Sequence, residues 1–225
     1  MRGVLAAVVA LALLGASSPR ARAADLAQQQ KLVDEARAVV DQLKVDPKLG
    51  GRARELVHKS RAVMIIPELV KAGLIFGGQG GTGVLLARDG KGRWSDPCFY
   101  DLGGGSFGLQ IGGQVSKVAL IIMTEAALTN ILHGEVKLGG GAGATVAQME
   151  TDTDKSTVRG AADIYSVAQA EGFFAGATVE GASLSPDKDR NKAYYGREVT
   201  PEEVLIERRV GNPGAAGLKE ALARF

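Results

Sequence analysis

The chain has 225 residues, 45% of them hydrophobic and 23% charged, a balance that suits one globular domain and excludes wholesale disorder. Glycine is the outlier at 31 residues, but there is no G-X-Y period and only 7 prolines, which excludes collagen and a proline-rich spacer. One cysteine excludes an internal disulfide, and one cysteine with two histidines gives no zinc-ligand set.

Residues 1–23 read as a secretory signal peptide: Arg2, an apolar run from Val4 to Leu14, and an Ala21-Arg22-Ala23 cleavage site. The run is too short for the ~20 residues of a spanning helix. Cleavage near Ala23 predicts a periplasmic or secreted chain starting at Ala24. It removes Arg2, Arg20 and Arg22, so the formal charge falls from +2 to −1. A chain-wide argument for nucleic-acid binding fails there, and any basic surface must be local.

Asp25 with Gln28 resembles a capping box. Leu26, Val33, Ala36, Val40 and Leu43 then give an apolar stripe, an amphipathic helix over about 25–45 that Asp46-Pro47 ends. A second helix around Arg52 to Lys59 leads into Ala62–Ile66, a buried strand closed by Pro67. From Gly73 to Gly181, apolar runs alternate with glycine clusters, which reads as strands in an antiparallel meander. Gly90-Lys91-Gly92 is a tight turn, and Thr124 to His133 a short helix ended by Gly134. The runs TDTDKST and SPDKDRN read as polar turns. Thr200-Pro201-Glu202-Glu203 opens a helix to about Arg209, and another runs from Ala215 to Arg224. The predicted fold class is α+β: a glycine-rich, curved antiparallel sheet, barrel- or sandwich-like, flanked by N- and C-terminal helices. Residues 24–225 form one domain.

The catalytic and cofactor motifs fail on context. Gly104-Gly105-Ser106-Phe107-Gly108 spells the hydrolase elbow G-x-S-x-G, but the only later histidine is His133 and no helix comes after the serine. Gly78-Gln79-Gly80-Gly81-Thr82-Gly83 spells G-x-G-x-x-G, but Val84 to Ala87 reads as another strand where a dinucleotide site needs a helix. Asp187, Asp189, Asn191 and Glu198 stand at positions 1, 3, 5 and 12 of a calcium loop, with Lys192 where the turn glycine belongs and Lys188 and Arg190 interleaved. Asp152 and Asp154 lack even the terminal glutamate, and a solvated polar turn is the better reading of both. Cys98 reads as a buried small hydrophobe. No enzyme, cofactor or metal is expected.

The surviving feature is basic. Lys48, Arg52, Arg54, Lys59, Arg61 and Lys71 stand against Glu55 and Glu68, a local +4. A charge run is commonly a solvated face. The functional reading is contact with anionic headgroups, where ~1 kcal/mol per basic residue makes four net charges worth ~4 kcal/mol. That is millimolar, so apolar insertion, for instance by the Leu26–Leu43 helix, or several copies would have to add to it.

The run KSRAVMIIPELVKAGLIFGGQGGTGVLLAR, the WSDP after it, then GFFAGATVEGASL and NKAYYG resemble the SYLF domain, from about Leu49 to Arg209. This is a lipid-binding domain also known in yeast relatives as an actin-regulating domain. The resemblance implies a non-enzymatic domain that binds membrane phospholipid through an amphipathic and basic region near its start, here the first helix and the Lys48–Lys71 cluster. Export separates the chain from actin and makes an anionic phospholipid membrane surface the expected partner; the sequence names no protein partner. The competing reading is an envelope scaffold or interaction module without lipid affinity.

Overall fold

The computed structural model describes residues 19–73, 76–107, 112–134, 136–139, 144–149, 162–170, 173–176 and 179–225. Helices α1 (Pro19–Lys44) and α2 (Gly50–Lys59) precede strands β1 (Ala62–Gly73), β2 (Phe76–Ala87), β3 (Cys98–Phe107) and β4 (Gly112–Ile122). After α3 (Glu125–Leu132) come β5 (Val136–Lys137), β6 (Val146–Gln148), β7 (Ile164–Ala170), β8 (Phe173–Gly176) and β9 (Ala182–Pro186). Helices α4 (Lys188–Tyr195), α5 (Pro201–Leu205) and α6 (Ala216–Ala223) close the chain.

Among the described residues nine strands join one sheet in the order β5-β9-β3-β2-β1-β4-β7-β6, with β8 on β7, curled into a half-barrel. The expected α+β class with flanking helices is the observed one. The order is not a simple meander, because β4 pairs with β1 rather than with β3. The result is the Greek-key order 3-2-1-4, and β6 runs parallel to β7.

Both faces of the sheet are covered, which explains the continuous apolar run of β1. Val63, Ile65, Val84, Phe99 and Ile121 pack under Val33, Ala36, Val40 and Leu43 of α1 and Leu218 of α6. Met64, Ile66, Leu85, Tyr100 and Leu120 pack on the other face against Leu128 and Ile131 of α3 and Val204 and Leu205 of α5. Pro67 does not end β1. The strand runs on to Gly73, and the proline stands where the register with both neighbours shifts. A bulge is where a sheet tolerates a residue without an N–H.

That bulge accounts for two glycines. A Cβ at Gly81 would lie 2.4 Å from the Glu68 carbonyl oxygen, and one at Gly83 2.5 Å from that of Ile65. The motif containing them lies wholly within β2, with no helix after it. Ser106 likewise continues along β3, paired with Gly77. TDTDKST lies outside the described residues.

The termini of several elements differ from the expected ones. Helix α1 begins at Pro19, so Asp25 stands inside it rather than capping it. Helix α5 ends at Leu205, short of Arg209. SPDKDRN is no turn: Asp187 caps α4 by accepting from the Arg190 N–H, and the helix closes on left-handed Gly196 at φ 72°. The Thr200 capping box is present with both of its hydrogen bonds.

One carboxylate ties the β2–β3 turn to the chain after α5. Asp89 accepts from the backbone N–H groups of Lys91 and Arg93, from Arg93 Nε at 2.9 Å and from Arg208 Nη1 at 2.8 Å. These bonds, the Arg93 backbone first, hold its pKa at about 2. A depressed folded pKa stabilises above the unfolded value and loses that stability as pH falls through the folded one. A carboxylate-resolved NMR titration should therefore find Asp89 still ionised at pH 3, and loss of the Arg208 contact only near pH 2.

Candidate functional site

The six basic residues do not form one patch. Lys48, Arg52, Arg54, Lys59 and Arg61 are exposed around α2, while half-buried Lys71 lies ten residues along β1 from Arg61. At ~3.3 Å per residue that is roughly 33 Å. Burial lowers the Lys71 pKa, the direction desolvation gives a lysine.

Helix α2 buries Gly50, Ala53, Leu56 and Val57 and turns all its charged side chains outward. Glu55 sits between Arg52 and Lys59, 2.8 Å from each, and both contacts lower its pKa, with Lys59 the larger cause. Arg54 is a clamp, since its Nε donates to the Phe225 carbonyl oxygen at 2.5 Å and so fastens α6 to α2. Arg61 lies 3.4 Å from Glu125 of α3. Arg88 comes in from the end of β2 and donates to the His58 carbonyl oxygen.

The α1–α2 corner is held by hydrogen bonds to Asp46. Asp46 Oδ1 accepts from the Lys48 and Leu49 N–H groups at 2.9 and 2.8 Å, and the Gly50 N–H donates to the Asp46 carbonyl. A Cβ at Gly50 would lie 2.7 Å from the Lys44 carbonyl oxygen. At this corner Val45 is 75% exposed, the most exposed large hydrophobic among the described residues, three positions from Lys48.

The stripe of α1 is not available for insertion as the sequence suggested. Val33, Val39, Val40 and Leu43 are each at most 2% exposed beneath the helix. At ~1.5–3 kcal/mol per buried side chain, freeing these four costs roughly 6–12 kcal/mol, close to a whole domain's stability. Gln42 is further held by Lys117 Nζ of β4 at 3.0 Å, and Gln29 by Arg190 Nη1 at 3.0 Å. Leu26, 41% exposed, is the member of the stripe that remains outside.

The residues of the apparent calcium loop do not converge. Asp187 is the α4 cap, and Glu198 pairs with Lys192 at 2.9 Å. Asn191 is buried, accepts from the Phe99 N–H and donates to the carbonyls of Phe99 and Asp187. Sequence reasoning noted its NKAYYG motif without its role; Asp187 three residues ahead of the Arg190 N–H was the available signal. Cys98 is buried, which pushes its thiol pKa far up. A wide groove of about 820 Å³ between the β2–β3 turn and α6 is lined by charges that already have partners: Lys219 pairs with Asp96 at 3.1 Å, and Arg93 and Arg208 pair with Asp89. Among the described residues, no group of acids, histidines and cysteines could hold a metal ion, and no helix is long and apolar enough to cross a membrane.

The family model described as Ysc84, Las17-binding protein actin regulator, matches residues 103–225, more than half of the chain. The chain belongs to the Ysc84 family. Its β3–α6 half carries that match, including the Asn191 anchor and the Thr200 cap. An SH3 domain-containing protein of Schizosaccharomyces pombe is 29% identical over 180 residues, 76% of this chain and 42% of its own length. The SH3 domain-containing YSC84-like protein 1 of Xenopus laevis is 30% identical over 173 residues, covering 76% and 51%. LAS seventeen-binding protein 3 of Saccharomyces cerevisiae is 26% identical over 158 residues, covering 68% and 34%. The chain thus spans between a third and a half of the length of these relatives. Their names describe binding and adaptor proteins rather than enzymes.

Proposed function

We propose that this Ysc84-family chain is a non-enzymatic protein that docks on anionic phospholipid surfaces outside the cytoplasm. The observation that carries the reading is the exposed charge of this region: Val45 stands bare at the α1–α2 corner three residues before Lys48, and Arg52 and Lys59 share the outer face of α2 through Glu55, while every apolar residue of α2 is buried. The cations supply attraction and Val45 the insertion. Arg61 joins them at the edge, Arg54 is mainly a structural clamp, and Lys71 lies too far along the sheet. Actin is not the expected partner of an exported chain, and mass spectrometry of the secreted form should find an N-terminus at or near Ala24.

Co-sedimentation with phosphatidylglycerol vesicles tests the contact. The triple variant Lys48→Gln, Arg52→Gln, Lys59→Gln should bind about 100-fold more weakly, at ~1 kcal/mol per basic residue. Glu55→Gln should bind several-fold more tightly, since it frees two cations from their partner. Binding should fall steeply with salt, because exposed charges are screened over ~8 Å at physiological ionic strength. Equal sedimentation of the triple variant and the parent at low salt would exclude this surface.

A further inference from the structure

The glycine-rich half of the sheet holds a polar group that neither the fold nor the α2 surface uses. Gln79 of β2 is 6% exposed, and its Oε1 is buried without a hydrogen-bond partner among the described residues. Lys71 stands directly opposite on β1, and Gln114 faces Lys71 from β4. Ser116, 6% exposed and opposite Leu69, is the next residue on the same side of β4. Directly paired residues share a face, so these four project together, on the side where Leu69 and Leu102 pack. Gly77 and Gly81 flank Gln79 along that face and Gly104 is its partner on β3, so none of those positions offers a side chain to the amide.

An orphaned buried amide oxygen costs free energy that an apolar residue of similar size would not. It stands beside a half-buried cation, and together they define a ligand chemistry. A lysine ammonium carries three donors, so it can take an anionic oxygen alongside its other contacts. The amide oxygen asks for a donor, and a hydroxyl meets the whole amide in either orientation because it both donates and accepts.

We propose that Lys71, Gln79, Gln114 and Ser116 form a binding site for a polyol phosphate, with the phosphate on Lys71 and a hydroxyl on Gln79. The inference rests on the lipid-surface reading only for the origin of the ligand, a glycerol-type headgroup or a free sugar or glycerol phosphate.

Isothermal titration of the full chain with sn-glycerol 3-phosphate and with dihexanoyl-phosphatidylglycerol, both soluble, separates these sources. Binding of both probes supports a free-phosphate site, and binding of the lipid alone supports a headgroup site. Gln79→Leu should melt at or above the parent temperature, since it removes the orphan, yet lose at least tenfold in affinity. Lys71→Met should lose as much, and Gln79→Glu, which sets a carboxylate against the phosphate, more. The Lys48, Arg52 and Lys59 triple variant should keep parental affinity for the soluble probes, so failure of vesicle docking leaves this site standing and the reverse holds too. Binding of neither probe by the parent, or parental affinity in a folded Gln79→Leu, overturns the proposal.

Discussion

Gly83→Ala is expected to cost about 3 kcal/mol, at the upper end of what overpacking a filled core does. The added Cβ would sit 2.5 Å from the Ile65 carbonyl oxygen and 2.7 Å from Ile66 Cγ1. Neither is the far end of a flexible side chain: Ile65 and Ile66 are at most 1% exposed and lie just before the Pro67 bulge. The strand would have to separate from β1 or the bulge to flatten. For a chain of this size, thermal unfolding should show a loss of roughly 6–12 °C. Gly103→Ala is the control. Among the described residues nothing lies within 4 Å of its Cβ, so its melt should stay near the parent or rise slightly, because alanine restricts the unfolded chain. Equal losses at both positions would mean that glycine serves this sheet through backbone freedom rather than close approach.

The same pair separates the features written in the sequence from those written only in the fold. Glycine abundance between Gly73 and Gly181 pointed to curved strands in close contact, and curved strands are there. Which glycines touch backbone depends on the bulge at Pro67, and a bulge is set by pairing with β2 and β4, not by local sequence. The Greek-key order was hidden for the same reason. Helix signals written in neighbouring residues were legible: the Thr200 box, a short helix from Thr124 to His133 and a helix around Arg52 to Lys59. The stripe of α1 was legible as a stripe, but its destination was not. An apolar face that lies on a sheet and one that enters a membrane have the same period. For the candidate site, the charge count from Lys48 to Lys71 was legible and its geometry was not. A count along the chain cannot tell α2 from the far part of a twelve-residue strand.

Asn191 offers the sharpest separation between a binding loop and a structural anchor. Its Nδ2 donates to the Phe99 carbonyl at 3.0 Å and the Asp187 carbonyl at 2.8 Å, and its Oδ1 accepts from the Phe99 N–H at 2.9 Å. These bonds fix α4 on the start of β3, beside Tyr195, whose hydroxyl donates to the Pro97 carbonyl. Asn191→Asp keeps the shape and the acceptor but turns the amide donor into a carboxylate oxygen facing two carbonyls. At neutral pH this buried charge should cost about 3–5 kcal/mol, the range found when a buried charge lacks its partner. The sign with pH comes from linkage. Burial and the facing carbonyls raise the pKa of the new carboxyl in the folded state above its unfolded value of ~3.9. A raised folded pKa means that the variant is closest to the parent below pH 4, where the protonated carboxyl can donate to one carbonyl. It then falls away as pH rises through 5 and 6. Paired urea unfolding curves at pH 4 and pH 7 measure the difference. A calcium-loop role would reverse the pattern, since an added carboxylate would strengthen the site and calcium would stabilise the variant at pH 7. A gap between variant and parent that is wider at pH 4 than at pH 7 would remove the anchor assignment.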